Sequence, residues 1–170
     1  MRQEAYLITP GKSDDLQIVA YTSAYQSAFK SLNERWINEY FEMEETDQRM
    51  LEEPEKYILD KGGHILVALE RDKPVGVCAL VVKNEKGYDY ELAKMAVDPS
   101  AQGKGIGKIL GQAIIEKAKS LGAKKIFLVS NSKLEPAISL YKKLGFTEIE
   151  HKDGLYKRCN VQMEKVIINE

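Results

Sequence analysis

Gln102-Gly103-Lys104-Gly105-Ile106-Gly107 lies between two segments of different hydrophobic period, and that placement decides the fold. Upstream, Tyr90-Glu91-Leu92-Ala93-Lys94-Met95-Ala96-Val97 reads as a strand closed by Asp98-Pro99. Downstream, Ile106, Leu110, Ala113, Ile114, Ala118 and Leu121 recur at helical spacing until Gly122 stops the run. A glycine-rich turn therefore carries the chain from a strand end into a helix start. Backbone N–H groups there lack intrahelical partners and the helix dipole favours negative charge, so the turn suits a phosphate. Glycines bring the backbone close to such a group with no Cβ in the way. A phosphorylated cofactor is the expectation.

Outward from this turn the pattern is mixed α/β. Gln3–Thr9 reads as a first strand broken by Pro10-Gly11. Ser13 and Asp14 are N-cap candidates for a helix containing Leu16, Val19, Ala20, Ala24 and Ala28. Residues 33–57 form an acidic, amphipathic and helical stretch: Glu39, Glu42, Glu44, Glu45, Asp47, Glu52, Glu53 and Glu55 alternate with aromatic and aliphatic residues. Pro54 starts a further short helix. Ile65–Leu69 and Val75–Val82 are β-branched runs joined by Arg71-Asp72-Lys73-Pro74, a hairpin, and Asn84-Glu85-Lys86-Gly87 makes a second turn. Lys125–Ser130 is a strand. Pro136–Leu144 is a helix ended by Gly145, with Phe146 placed for the apolar contact such ends make. Thr147–His151 and Arg158–Val166 are terminal strands. One strand–helix–strand unit, Leu92–Ser130, thus stands among antiparallel hairpins.

The bulk properties fit one domain over residues 1–170, with 44% hydrophobic and 30% charged residues. A net charge of −1 argues against nucleic-acid binding, which favours a basic patch. No apolar run approaches a membrane span and no signal-peptide core follows Met1, so a cytoplasmic location is expected. Cys78 and Cys159 stand far apart and read as reduced packing residues; with two histidines they show no metal-ligand spacing.

Three glycine-loop chemistries compete. A P-loop fails because Gly107-Lys108 is followed by Ile109 and no glycine lies five residues before Gly107. A dinucleotide fingerprint asks for a glycine three places after Gly105, where Lys108 stands. The third pattern, Gln/Arg-x-x-Gly-x-Gly, is met by Gln102, Gly105 and Gly107. With Met95-Ala96-Val97-Asp98-Pro99 before it and Pro136-Ala137-Ile138-Ser139-Leu140-Tyr141-Lys142-Lys143-Leu144-Gly145-Phe146 after the next strand, the region from Glu91 to Phe146 resembles the GNAT (Gcn5-related) N-acetyltransferase superfamily. The close resemblance covers about a third of the chain. The plain alternative is ordinary turn chemistry at a helix start, followed by a capped amphipathic helix with a packed tyrosine.

The resemblance implies a central mixed, mostly antiparallel sheet of six or seven strands flanked by helices, with two strands splayed apart around acetyl-CoA. It implies that amides of Gln102, Gly103, Lys104, Gly105, Ile106, Gly107 and Lys108 hold the pyrophosphate. Met95, Ala96 and Val97 would line the pantetheine arm, the Val97 N–H facing the acetyl carbonyl in an oxyanion-type role. Lys104 and Lys108 could add charge or simply be solvated. Tyr141 takes the place of the family's thiol-protonating tyrosine. Glu91, eleven residues before Gln102, resembles the glutamate base of histone-acetylating members, although many members work through water. Leu134 stands where many members carry a pantetheine-binding asparagine, and Asn131 is the candidate replacement.

The acceptor would be a small-molecule or peptide primary amine. Trp36, Tyr40 and Phe41 in the acidic helical stretch could receive a cation, although acidic residues between apolar ones ordinarily mark a solvated helix face. A non-catalytic acyl-CoA-binding module is the rival reading; a proton donor at Tyr141 favours the enzyme. The strand Arg158–Val166 is a candidate for pairing across a homodimer, since exposed edges invite it.

Overall fold

The computed structural model describes residues 15–150 and 157–167 and the backbone of Ala5–Tyr6. Its elements follow the chain as β1 (Ala5–Tyr6), β2 (Leu16–Ala20), α1 (Gln26–Tyr40), α2 (Glu45–Glu52), β3 (His64–Glu70), β4 (Lys73–Glu85), β5 (Tyr88–Val97), α3 (Ile106–Ser120), β6 (Lys125–Ser130), α4 (Glu135–Lys143), β7 (Thr147–Ile149) and β8 (Val161–Val166). The strands form one sheet in the order β1-β2-β3-β4-β5-β6-β8-β7. Every neighbouring pair is antiparallel except β5 and β6. The mixed, mostly antiparallel sheet is as expected; its eighth strand is the two-residue β1.

Two hairpins shape the first half. Both residues between β3 and β4, Arg71 and Asp72, have positive φ (49° and 64°), as do Lys86 and Gly87 (54° and 82°) between β4 and β5. Such pairs match the right-handed twist of the flanking strands. The long connection from β5 through α3 to β6 supplies the one parallel pair, as a crossover must.

The sheet is covered on both faces. On one side α3 and α4 bury Leu110, Ile114, Leu80, Ile126, Leu128 and Met163. On the other, α1, α2 and the short helical turn Glu55–Leu59 bury Phe29, Ile37, Leu51, Ile58, Val67 and Val77. This double cover explains the clearest departure from the sequence reading. Leu16–Ala20 is a strand, paired with β3 from Leu16↔Glu70 to Ala20↔Leu66, and the helix begins only at Gln26. Ile18 and its neighbour Val19 are both buried, one in each core, so the run lacks the alternation that marks a half-exposed strand. The candidate caps Ser13 and Asp14, most of Gln3–Thr9, and His151 lie outside the described residues.

The last strand also differs from expectation. It starts at Val161, and it lies between β6 and β7, bonded on both sides. It has no free edge where β7 covers it, so the edge that motivated pairing of Arg158–Val166 across a dimer is absent.

Candidate functional site

The parallel pair is joined only at its beginning. Tyr90 is in register with Ile126 and Glu91 with Phe127, and no pairing continues beyond them. From Leu92 onward β5 stays on β4 while β6 stays on β8. The strands therefore part, leaving a wedge whose β5 side carries unused backbone groups. Asp98 donates its N–H to the Val75 carbonyl on the β4 side at 2.7 Å. Because successive amides alternate in direction along a strand, the Val97 and Met95 N–H groups face the wedge.

At the end of β5 the chain turns through Pro99–Ala101, with the Asp98 carboxylate accepting from the Ser100 N–H at 2.9 Å. Gly103 (φ 82°) and Gly105 (φ 78°) then adopt left-handed backbone, and a Cβ on either would meet nothing within 4 Å. They are required by conformation, and the space over them is open. The first intrahelical bond of α3 is Ile109 N–H to Gly105 carbonyl at 3.1 Å, which leaves the amides of Ile106, Gly107 and Lys108 as helix-start donors. Gly107 has a different task from the one anticipated: a Cβ there would lie 3.2 Å from Leu140 Cδ2, and one at Gly111 only 2.4 Å from Leu144 Cδ1. These two glycines are a notch that seats α4 on α3. The Lys104 ammonium meets Glu70 Oε1 at 3.2 Å, an exposed pair at the end of β3.

α4 ends as read from the sequence. Phe146 and Gly145 donate their N–H groups to the carbonyls of Tyr141 and Lys142, both at 3.0 Å, and the Phe146 ring lies edge-on to Tyr141 at 6.2 Å. Tyr141 is thereby fixed on the β6 side of the wedge, and burial raises its phenol pKa. Glu91 pairs with Val81 across β4–β5, which puts its side chain on the sheet face that carries α1 and α2. Burial raises its carboxyl, against the opposing pull of Lys83 and Lys94. Cys159, whose thiol burial pushes up to about 11, is within electrostatic reach of Glu91, and it acts in turn on Tyr141.

The sequence model described as acetyltransferase (GNAT) family matches residues 27–146. The chain belongs to the GNAT acetyltransferase family. YvbK of Bacillus subtilis, an uncharacterised N-acetyltransferase, is 36% identical over 103 residues, 59% of this chain and 65% of that protein. The chain thus spans just under two thirds of that relative's length. An acetyltransferase of the GNAT family from Staphylococcus aureus MU50 superposes with a TM-score of 0.79 at 23% identity, covering 89% of this chain and 98% of that one. The yncA protein of Salmonella typhimurium, solved with acetyl-CoA, superposes with a TM-score of 0.71 at 19% identity, covering 92% and 96%.

Other anticipated residues of this GNAT chain fall differently. Asn131 donates its side-chain N–H to the Arg158 carbonyl and accepts from the Lys133 N–H at 2.9 Å, so it ties two backbone segments together. Tyr40 is 51% exposed, with Phe41 at 6.4 Å beside it, at the far end of α1. Trp36 turns inward, donating Nε1–H to Asn33 Oδ1 at 3.0 Å beneath the Arg158 guanidinium. The acidic stretch is largely consumed in pairs: Glu44 and Asp47 meet Arg158, Glu45 meets Arg49, Glu52 meets Lys30, and Glu55 accepts from Tyr21.

Sequence reasoning missed one cluster. Asp47 on α2, fully buried, receives the Arg158 guanidinium at 2.6 and 2.8 Å and the Lys94 ammonium of β5. Burial alone would raise the Asp47 carboxyl; the two cations outweigh it and hold the pKa below the ordinary value. The legible signal was Lys94 itself, a lone charge inside Leu92–Val97. Among the described residues no group of three or more His, Cys, Asp or Glu could hold a metal, and no helix is long and apolar enough to cross a membrane.

Proposed function

We propose that this chain is an acetyl-CoA-dependent N-acetyltransferase that moves an acetyl group to a primary amine by direct attack within a ternary complex. The parting of β5 from β6, with the amide-rich start of α3 at its end, is the observation that carries this reading. The open space over Gly103 and Gly105 and the donors from Gln102 to Lys108 fit a pyrophosphate. Met95, Ala96 and Val97 offer backbone to the pantetheine arm. Asn131 shapes the opposite wall indirectly, through the backbone it ties down.

The chemistry divides between the walls. The amine nitrogen attacks the thioester carbonyl carbon, the carbonyl oxygen gains negative charge, and the C–S bond breaks. The Val97 N–H stabilises that oxygen. Glu91 takes the proton the ammonium must lose, and a carboxyl raised above its ordinary value is better matched to that task. Tyr141 gives the departing thiolate its proton; its raised pKa keeps the phenol protonated at neutral pH. Trp36 walls the acceptor side. The unpaired thiols of Cys78 and Cys159 suit a reducing, cytoplasmic setting.

The test is incubation with acetyl-CoA and pooled polyamines, aminoglycosides, amino acids and lysine peptides, read by mass spectrometry. An acetylated amine is the expected product. Binding of acetyl-CoA with no product from any acceptor would favour the binding-module reading, and absence of binding would overturn both.

A further inference from the structure

β5 contains a bulge whose conformation is dictated from outside the strand. Val77 is in register with Ala96 and Ala79 with Ala93, so Cys78 alone faces two residues, Lys94 and Met95. Lys94 takes φ 52°, left-handed backbone that costs a non-glycine residue on the order of 1–2 kcal/mol. Such a residue persists where its surroundings over-determine it. Lys94 is held at both ends: its ammonium, 3% exposed, lies on Asp47, and its carbonyl accepts from Asn33 Nδ2 at 3.2 Å. Asp47 is in turn gripped by Arg158, which lies over Trp36, and Trp36 donates to Asn33. The circuit closes on the residue where it began, joining α1, α2, β5 and the segment before β8.

The extra residue inverts the alternation of everything after it. With the bulge, Ala96 faces the α1–α2 side while Met95 and Val97 lie against the α3 side. Removing it would reverse those faces and turn the Val97 N–H toward β4.

We propose that Asp47, Lys94 and Arg158 are positioning residues for acetyl transfer, acting through the β5 bulge to aim the Val97 N–H at the acetyl carbonyl. The proposal rests on the acetyl-CoA reading given above. The circuit touches the strand two residues before the amide and contributes nothing to the turn that would hold the pyrophosphate. Weakening it separates turnover from cofactor affinity.

The test is difference infrared spectroscopy of acetyl-CoA labelled with 13C at the thioester carbonyl, bound to wild type, Asp47→Asn and Arg158→Lys. Arg158→Lys keeps the charge and loses the two-pronged grip, so it guards against loss of folding in Asp47→Asn. In wild type the carbonyl stretch moves to lower frequency on binding. In the variants the expected result is a smaller shift and a kcat lower by roughly tenfold, a fraction of the ~10²–10³ lost when such a donor is removed outright, with CoA affinity within about threefold. Ile58→Val, which loosens the same core without touching the circuit, is expected to leave the frequency at its wild-type value. Folded variants that keep the wild-type frequency and kcat would overturn the positioning role. A wild-type protein that binds no acetyl-CoA, or binds it with no shift, would instead overturn the reading on which the role rests.

Discussion

Tyr141 and Glu91 are moved in the same direction by burial, with opposite chemical consequences. A phenol pushed up stays a donor; a carboxyl pushed up becomes a better base. Tyr141→Phe is expected to lower kcat by about 10²-fold or more while leaving the acetyl-CoA dissociation constant within twofold, checked by steady-state rates and calorimetry. A wild-type rate would remove the residue from the chemistry. Glu91→Gln should abolish the acidic limb of the kcat/KM profile. It should also stabilise the fold at neutral pH. A carboxyl whose folded pKa lies above its unfolded value of 4.5 contributes stability in full below that value, and loses it as pH rises through the folded pKa. Thermal melts of wild type and Glu91→Gln are therefore expected to diverge above pH 4.5, with the variant the more stable. Coincident melts from pH 4 to 8 would contradict the buried placement of the carboxyl.

At the scale of elements, the glycines of one loop part company. Gly103 and Gly105 answer to backbone conformation, Gly107 and Gly111 to the closeness of α4. Gly111→Ala would drive a methyl into Leu144 and is expected to destabilise by about 1–3 kcal/mol in denaturant unfolding. Since α4 carries Tyr141, activity should fall with it. Both helices and β6 were legible from the chain because each carries one strong period and a glycine stop: α3 between Gly105 and Gly122, α4 before Gly145. β2 was not, since two cores flank it and leave no alternation to read. The bulge was not legible either. Nothing local demands left-handed backbone at Lys94; Asp47, Asn33 and Arg158 demand it, from 47, 61 and 64 positions away. The same long-range pairing hid the role of the acidic stretch, which reads alone as a solvated face and instead supplies the anions buried under Arg158.

Across the whole molecule, the circuit around Asp47 is where the α1–α2 cover is ionically fastened to the segment leading into β8. Asp47 has its folded pKa held below the ordinary 3.8, so its contribution is present above that value and lost as pH falls through the folded one. Asp47→Ala strands two buried cations and is expected to cost about 3–5 kcal/mol at pH 7, measured by denaturant unfolding. The difference from wild type should shrink below pH 3.8. The sheet order and the splayed pair followed from the family resemblance and from one crossover among hairpins; the position of β8 inside β7 did not, because both strands are short and equally apolar. The parted strands carry a consequence for motion. Beyond Glu91 and Phe127 the two halves of the sheet share no ladder, so the ligand-free protein has a built-in seam. Amide hydrogens of Met95 and Val97 should exchange with solvent deuterium faster than those of Leu66 or Val67 in β3, which strands pair on both sides. A molecule lodged in the seam would act as a temporary strand, and the protein should be most cohesive while it is at work.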